Sequence, residues 1–183
     1  MLAAMTADAI LAFWFTEITP AQWWKVDPAF DAALAERFGA LHAAAVQGEL
    51  HAWRATPRGR LAEVIVLDQF SRNIHRGTAR AFAADPMALA LAQEAVAGGH
   101  DMALPPAERR FLYMPWMHSE SRAIHAQAVE LFTRLGDADV LRYERAHQAI
   151  VDRFGRYPHR NAVLGRASTL EEMQFLREPG SRF

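Results

Sequence analysis

Leu61-Ala62-Glu63-Val64-Ile65-Val66-Leu67-Asp68-Gln69-Phe70-Ser71-Arg72-Asn73-Ile74-His75-Arg76 is the stretch on which the fold turns. On a helical wheel of ~100° per residue, Leu61, Val64, Ile65, Val66, Leu67, Phe70 and Ile74 cover nearly the whole circumference. A helix that is apolar all round is buried. Asp68, Arg72, His75 and Arg76 nevertheless share one arc, and Asp68, Arg72 and Arg76 follow one another at the four-residue spacing of neighbours on a helix face. Charges at the end of a buried helix need partners or water. Either another helix supplies acids, or this arc lines a cleft.

Outward from this stretch, the chain reads as helix nearly throughout. Alanine and leucine abound, β-branched runs are short, and no hairpin dipeptide separates alternating strands. A first helix is expected over Thr6 to Thr16. Asp27-Pro28 starts a second, with Asp as N-cap and Pro in the first turn, and Phe30, Leu34, Phe38 and Leu41 as its apolar positions. Thr56-Pro57 opens a third, running to about Ile74. Asp85-Pro86 repeats the start signal and Gly98-Gly99 the stop. Pro105-Pro106 opens a helix that Pro115 is expected to interrupt. Ser119 to Leu135 and Asp137 to about Phe154 follow, ended by Gly136 and Gly155. Ser168-Thr169-Leu170-Glu171 reads as a capping box for the last helix. The expectation is an all-α fold of seven or more helices in antiparallel pairs, a helical bundle or short superhelix, with residues 1–183 forming one domain.

Composition narrows the function classes. The chain has 183 residues, 51% hydrophobic and 22% charged, with net charge −1. That excludes disorder across the whole chain, and no overall field draws in nucleic acid or an anionic membrane. With no cysteine there is no disulfide, thiolate nucleophile or thiolate metal site. Of 20 basic residues only Lys25 is lysine, which argues against Schiff-base chemistry. No apolar run reaches the ~20 residues of a membrane span. Met1 to Phe15 is apolar but lacks a basic start, so no secretory signal is read there and a cytoplasmic location is expected. P-loop, dinucleotide, HExxH and GxSxG motifs are missing. Basic residues are not interleaved with aromatics along one surface, which speaks against nucleic-acid binding. The tryptophans read mostly as core.

Asp152-Arg153-Phe154-Gly155-Arg156-Tyr157-Pro158-His159-Arg160 echoes Asp68-Gln69-Phe70-Ser71-Arg72-Asn73-Ile74-His75-Arg76, with Asp, Phe, Arg, His and Arg recurring in place. These stretches, extended to Leu67–Thr78 and Arg153–Arg166, stand with Phe111-Leu112-Tyr113-Met114-Pro115-Trp116-Met117-His118-Ser119-Glu120, Phe13-Trp14-Phe15 and the segment from Ser168 to Leu176. Together they resemble the bacterial domain-of-unknown-function family 924, in order and over essentially the whole chain. The small departures, Ser71 and Met117, lie between the recurring polar positions. The resemblance implies an all-α fold similar to tetratricopeptide-like helical repeats, in degenerate form, and implies no activity.

The Arg/His cluster has two readings. As an anion site, Asp68, Arg72, Asn73, Arg76, Arg153, Arg156, His159, Arg160 and Asn161 would surround a phosphate or carboxylate with charge-assisted bonds. As structure, Asp68–Arg72 and Asp152–Arg156 would be ion pairs pinning helices. His159, Arg160 and Asn161 sit in a Gly/Pro-bounded turn that either directs groups toward an anion or is a rigid connection. In His118-Ser119-Glu120, Ser119 suits an N-cap and Glu120 the first turn of a helix. The functional alternative is an acid/base pair or two metal ligands, without a third ligand at diagnostic spacing, so no metal site is assigned. His147 lies on the stripe Val140, Tyr143, His147, Ile150, Val151, Phe154, and is either a core histidine or a ligand contact.

Three functions follow as alternatives. The first is a binding module whose Arg72, Arg76, Arg156 and Arg160 hold an anionic small molecule or peptide. The second is a hydrolase using His118, Glu120 or His147 as acid/base. The third is a structural or protein-interaction module whose charges pair internally. No cofactor is named by any motif.

Overall fold

The computed structural model describes residues 5–182; residues 1–4, where the apolar N-terminal stretch begins, and Phe183 lie outside the described residues. Every regular element among the described residues is helical. The α-helices are α1 Ala7–Ala12, α2 Pro28–Val46, α3 Pro57–Ile65, α4 Ser71–Ile74, α5 Asp85–Ala97, α6 Pro106–Met117, α7 Arg122–Leu135, α8 Ala138–Phe154 and α9 Leu170–Phe175. The chain divides into two compact units, Met1–Arg76 with Arg80–Pro115 and Gly77–Ala79 with Trp116–Phe183.

In the first unit the deciding stretch behaves as its composition demands. Leu61, Ala62, Val64, Ile65, Val66, Leu67 and Phe70 are all fully buried. The helix does not run uniformly, however. Between α3 and α4 a wide π-type turn, Val66–Phe70, carries Asp68 and Gln69 into the interior. Such turns widen a helix by one residue and often mark sites under special demands. α2 starts at the expected signal, with Asp27 Oδ1 accepting from the Ala29 and Phe30 amides at 3.0 and 3.2 Å. Its Leu34, Phe38 and Leu41 turn inward. The aromatic centre is a set of edge and tilted contacts, Phe13–Phe38 at 4.8 Å and Phe38–Phe70 at 5.1 Å between ring centroids. Asp85 is the first residue of α5 rather than its cap, and its carboxylate turns to Arg72.

The second unit is built on α7 and α8, which are antiparallel. Arg122 at the start of α7 donates to the Asp152 carbonyl near the end of α8 at 2.9 Å. Gly136 ends α7 with φ 79°, and Asp137 caps α8. Ile150, Val151, Tyr157 and Phe175 form a small core with Phe154 against it.

Four local expectations are corrected here. α6 passes through Pro115 and ends two residues later; a proline near a helix end removes one hydrogen bond without preventing the last turn. Ser121, not Ser119, stands at the N-cap of α7. The final capping box is one residue later than expected, with Thr169 Oγ1 accepting from the Glu172 amide and the Glu172 carboxylate accepting from the Thr169 amide. Asp152 and Arg156 do not face each other as i,i+4 neighbours. Gly155, at φ 72°, ends α8 between them, and Arg156 turns to Glu172.

Candidate functional site

The polar arc of the first unit is a network of forked ion pairs. Asp68 is fully buried. Gln69 Nε2 donates to it at 2.6 Å, and Arg72 Nη1 lies 3.2 Å from Oδ1 while donating to its carbonyl at 2.8 Å. The same guanidinium grips Asp85 from two nitrogens, at 2.8 and 3.0 Å. One turn on, Arg76 Nε and Nη2 donate to Asp31 of α2 at 2.5 and 3.0 Å, and Asn73 Nδ2 donates to the same carboxylate at 2.7 Å. Two-pronged guanidinium–carboxylate pairs of this kind combine strength with fixed orientation. Ser71 donates to the Leu67 carbonyl, so its oxygen accepts from His42 Nε2 at 2.7 Å. Burial first, then the neighbouring His75 and Arg80, push His42 down to about 4, leaving it neutral. His75 is pushed down by burial and Arg80 as well. A surface hollow of about 340 Å³ lies beside this network, lined by Pro28, Asp31, Ala32, Ala35, Asn73, Ile74 and Arg76.

The second unit gathers its motif residues around the exit of α6. The last carbonyls of a helix have no partner inside it. Here the carbonyl of Met117, the last residue of α6, accepts from Tyr157 Oη at 2.6 Å, and the two carbonyls just beyond the helix are held by side chains as well: His118 by Arg160 Nη2 at 3.0 Å and Ser119 by His125 Nε2 at 2.9 Å. Arg160 also lies over the Tyr157 ring, 4.5 Å from its centroid. Glu120 accepts from the Tyr157 amide at 2.7 Å and from two nitrogens of Arg166 at 2.7 and 2.9 Å. Burial alone would raise the Glu120 carboxyl, but Arg166, the Tyr157 amide and the charge of Arg160 hold it below its ordinary range. His147 Nδ1 lies 2.8 Å from the Tyr143 carbonyl and therefore carries the proton. Burial drives His147 down to about 3, with His118, His125 and Arg160 adding to the shift. Arg156 holds Glu172 at 2.7 and 2.8 Å, and Asn161 Nδ2 bonds Ser168 and Glu172. Arg153 pairs with Glu171 on the surface and His159 lies against Tyr157.

Thus the arginines of both echoing segments end on carboxylates or carbonyls, and an internal Arg/His–Asp/Glu network is what the two motifs build. Among the described residues, no group of three or more His, Asp or Glu side chains is arranged to hold a metal ion, and no helix is long and apolar enough to cross a membrane.

A family model for bacterial proteins of unknown function, DUF924, matches residues 10–180. The chain belongs to that family. A solved structure of a protein of unknown function from Agrobacterium tumefaciens is similar to this DUF924 chain at 41% identity and a TM-score of 0.89, covering 93% of this chain and 96% of that one. No curated protein matches.

In this DUF924 protein, sequence reasoning missed Asp31, Asp85, His125, Glu144, Tyr157, Arg166 and Glu172. One signal was present. Glu144 falls on the buried stripe with Val140, His147 and Val151, whereas Tyr143, placed there from the sequence, is 55% exposed. A carboxylate on an apolar stripe calls for a buried partner. The acids that answer Arg72 and Arg76 lie on α5 and α2 and leave no mark in the motif itself.

Proposed function

We propose that the protein is a binding module for a carboxylate-bearing small molecule or peptide end, taken up at the Arg76 edge of the hollow beside α2. One observation carries this reading: the Arg76 guanidinium is clamped on one edge and open on another. A guanidinium has five N–H donors, and Nε and one N–H of Nη2 serve Asp31. The end-on pair, Nη1 with the second N–H of Nη2, is left for a ligand, and the side chain is 37% exposed. Asn73 fixes Asp31 from its other side, so the fork is already oriented. Asp31 also cancels the local charge, which favours a monoanionic carboxylate over a dianionic phosphate. Pro28, Ala32, Ala35 and Ile74 provide apolar wall for a short hydrocarbon group.

In this reading Asp68, Arg72, Arg153, Arg156, His159, Arg160 and Asn161 brace the scaffold. We read that scaffold as a degenerate tetratricopeptide-like array, of which α7 and α8 are the plainest pair, working in the cytoplasm, which a cysteine-free chain suits. A hydrolytic reading is less well supported, because Glu120 is engaged by Arg166 and His147 is a buried, neutral side chain.

The test is titration of the ¹⁵N-labelled protein with N-acetylalanine and, separately, inorganic phosphate at fixed ionic strength. N-acetylalanine is expected to move the Arg76 Nε–H and Asn73 side-chain signals saturably, and phosphate to bind more weakly. Loss of a charge-assisted contact in Arg76→Ala should weaken binding by about tenfold or more. Equal responses from Arg76→Ala and the parent protein would overturn the reading.

A further inference from the structure

Hydrogen-bond bookkeeping in the second unit fixes where its buried protons sit. His125 and Glu144 are both fully buried, and Nδ1 of the imidazole lies 2.6 Å from Oε1 of the carboxyl. Nε2 of His125 faces the Ser119 carbonyl, which only accepts, so Nε2 bears hydrogen. Tyr157 Oη lies 3.0 Å from the same nitrogen, but its own hydrogen goes to the Met117 carbonyl, so there too Nε2 is the donor. One proton therefore remains to be placed between Nδ1 and Oε1. The second carboxyl oxygen, Oε2, is buried without a hydrogen-bond partner. A full negative charge is poorly housed there, whereas a neutral acid leaves only a carbonyl oxygen exposed to that surrounding. Burial raises the Glu144 carboxyl, against the opposing pull of His125.

We propose that Glu144 is held as the neutral acid, donating to His125 Nδ1, and that this single proton latches the turn leaving α6, so that its loss at alkaline pH frees Met117–Glu120. The relay runs from the Glu144 hydroxyl to His125, from His125 to the Ser119 carbonyl and Tyr157, and from Tyr157 to the Met117 carbonyl. The other ionisable groups of this centre come from each element around it. They are His147 on α8, His118 and Glu120 on the α6 exit, and Tyr157 and Arg160 on the following turn. Among them, it is His125 Nδ1 that lies within hydrogen-bond distance of the Glu144 carboxyl, at 2.6 Å. Without the shared proton the pair carries a net negative charge in the interior, and the donor that holds Ser119 loses its orienting partner.

The pH dependence has a definite sign. The folded pair holds one proton. Unfolded, an ordinary glutamate at 4.5 and an ordinary histidine at about 6.5 hold one proton between those values and none above them. The pair therefore contributes no slope between these values. Above about pH 6.5 its contribution falls with rising pH, the unfolding constant growing about tenfold per pH unit until the folded pair itself ionises. Glu144→Gln would keep a donor to Nδ1 and remove the ionisation.

Two measurements on the full chain decide the matter. The ¹⁵N shifts of His125 at neutral pH are expected to show an unprotonated Nδ1 and a protonated Nε2. Two protonated nitrogens would overturn the neutral-acid assignment. In denaturant unfolding, Glu144→Gln is expected to match the parent near pH 6 and to become progressively more stable than it above, the parent's unfolding constant outgrowing the variant's by about tenfold per pH unit. An unchanged gap between the two proteins from about pH 7 to 9 would overturn the latch.

Discussion

Removing one oxygen, in Tyr157→Phe, tests whether the α6 exit is held by side chains from the second echoing segment. Tyr157 is fully buried, and Met117, whose carbonyl it bonds at 2.6 Å, is 4% exposed. Phenylalanine keeps the ring under Arg160 but strips the donor. The net hydrogen bond is worth about 0.5–1.5 kcal/mol, and a carbonyl left buried without a donor costs about 1–3 kcal/mol more. His125 retains its bond to the Ser119 carbonyl, so the loss does not spread along the whole turn. The expected destabilisation is about 1.5–4.5 kcal/mol, a fall in Tm of roughly 3–18 °C for a chain of this size. Thermal and urea unfolding followed by near-ultraviolet circular dichroism measures it. Tyr143→Phe, on the exposed face of α8, is the control and should lie within about 0.5 kcal/mol of the parent. A Tyr157→Phe protein indistinguishable from that control would refute the capping argument.

Three further outcomes follow from single contacts. Glu63 is 1% exposed and is gripped by Arg54 at 2.6 and 2.7 Å; Arg54→Ala strands that carboxylate and should lower stability by about 3–5 kcal/mol in urea unfolding. A Cβ at Gly59 would sit 1.9 Å from the Trp53 carbonyl oxygen, so Gly59→Ala must shift backbone and should cost at least about 2 kcal/mol by the same assay. Arg156, with burial opposing, holds Glu172 down to about 2. The stability this pair gives is complete above the ordinary 4.5 and lost as pH falls toward 2. Glu172→Gln should therefore be weaker than the parent at neutral pH and show a shallower acid limb in a pH series of melting temperatures.

Much of the architecture was legible because it depends on local signals. The Leu61–Phe70 run has no polar face to offer water, and it is buried. Asp27-Pro28 combines a side-chain acceptor with a preset φ, and α2 begins there. What was not legible is pairing at a distance. Arg72 and Arg76 announce that acids are needed, but Asp85 and Asp31 lie 13 and 45 residues away. The echo between the two segments misled for a local reason. Ser71 lets the first copy stay helical and keeps Asp68 beside Arg72, whereas Gly155 turns the second copy aside before Arg156. Identical letters thus acquire different partners. His118 and Glu120 drew attention through their chemistry, yet their segment is organised by its backbone carbonyls, which a sequence does not display.

The arrangement at the α6 exit has a consequence for the growing chain on the ribosome. The donors to Met117 and His118 stand 40 and 42 residues downstream. At about 5–20 residues per second, those carbonyls wait roughly 2–8 s for Tyr157 and Arg160 to be synthesised. During that interval only solvent can serve them. The helix end therefore matures not with its own translation but in one late event, when the second arginine-rich segment arrives.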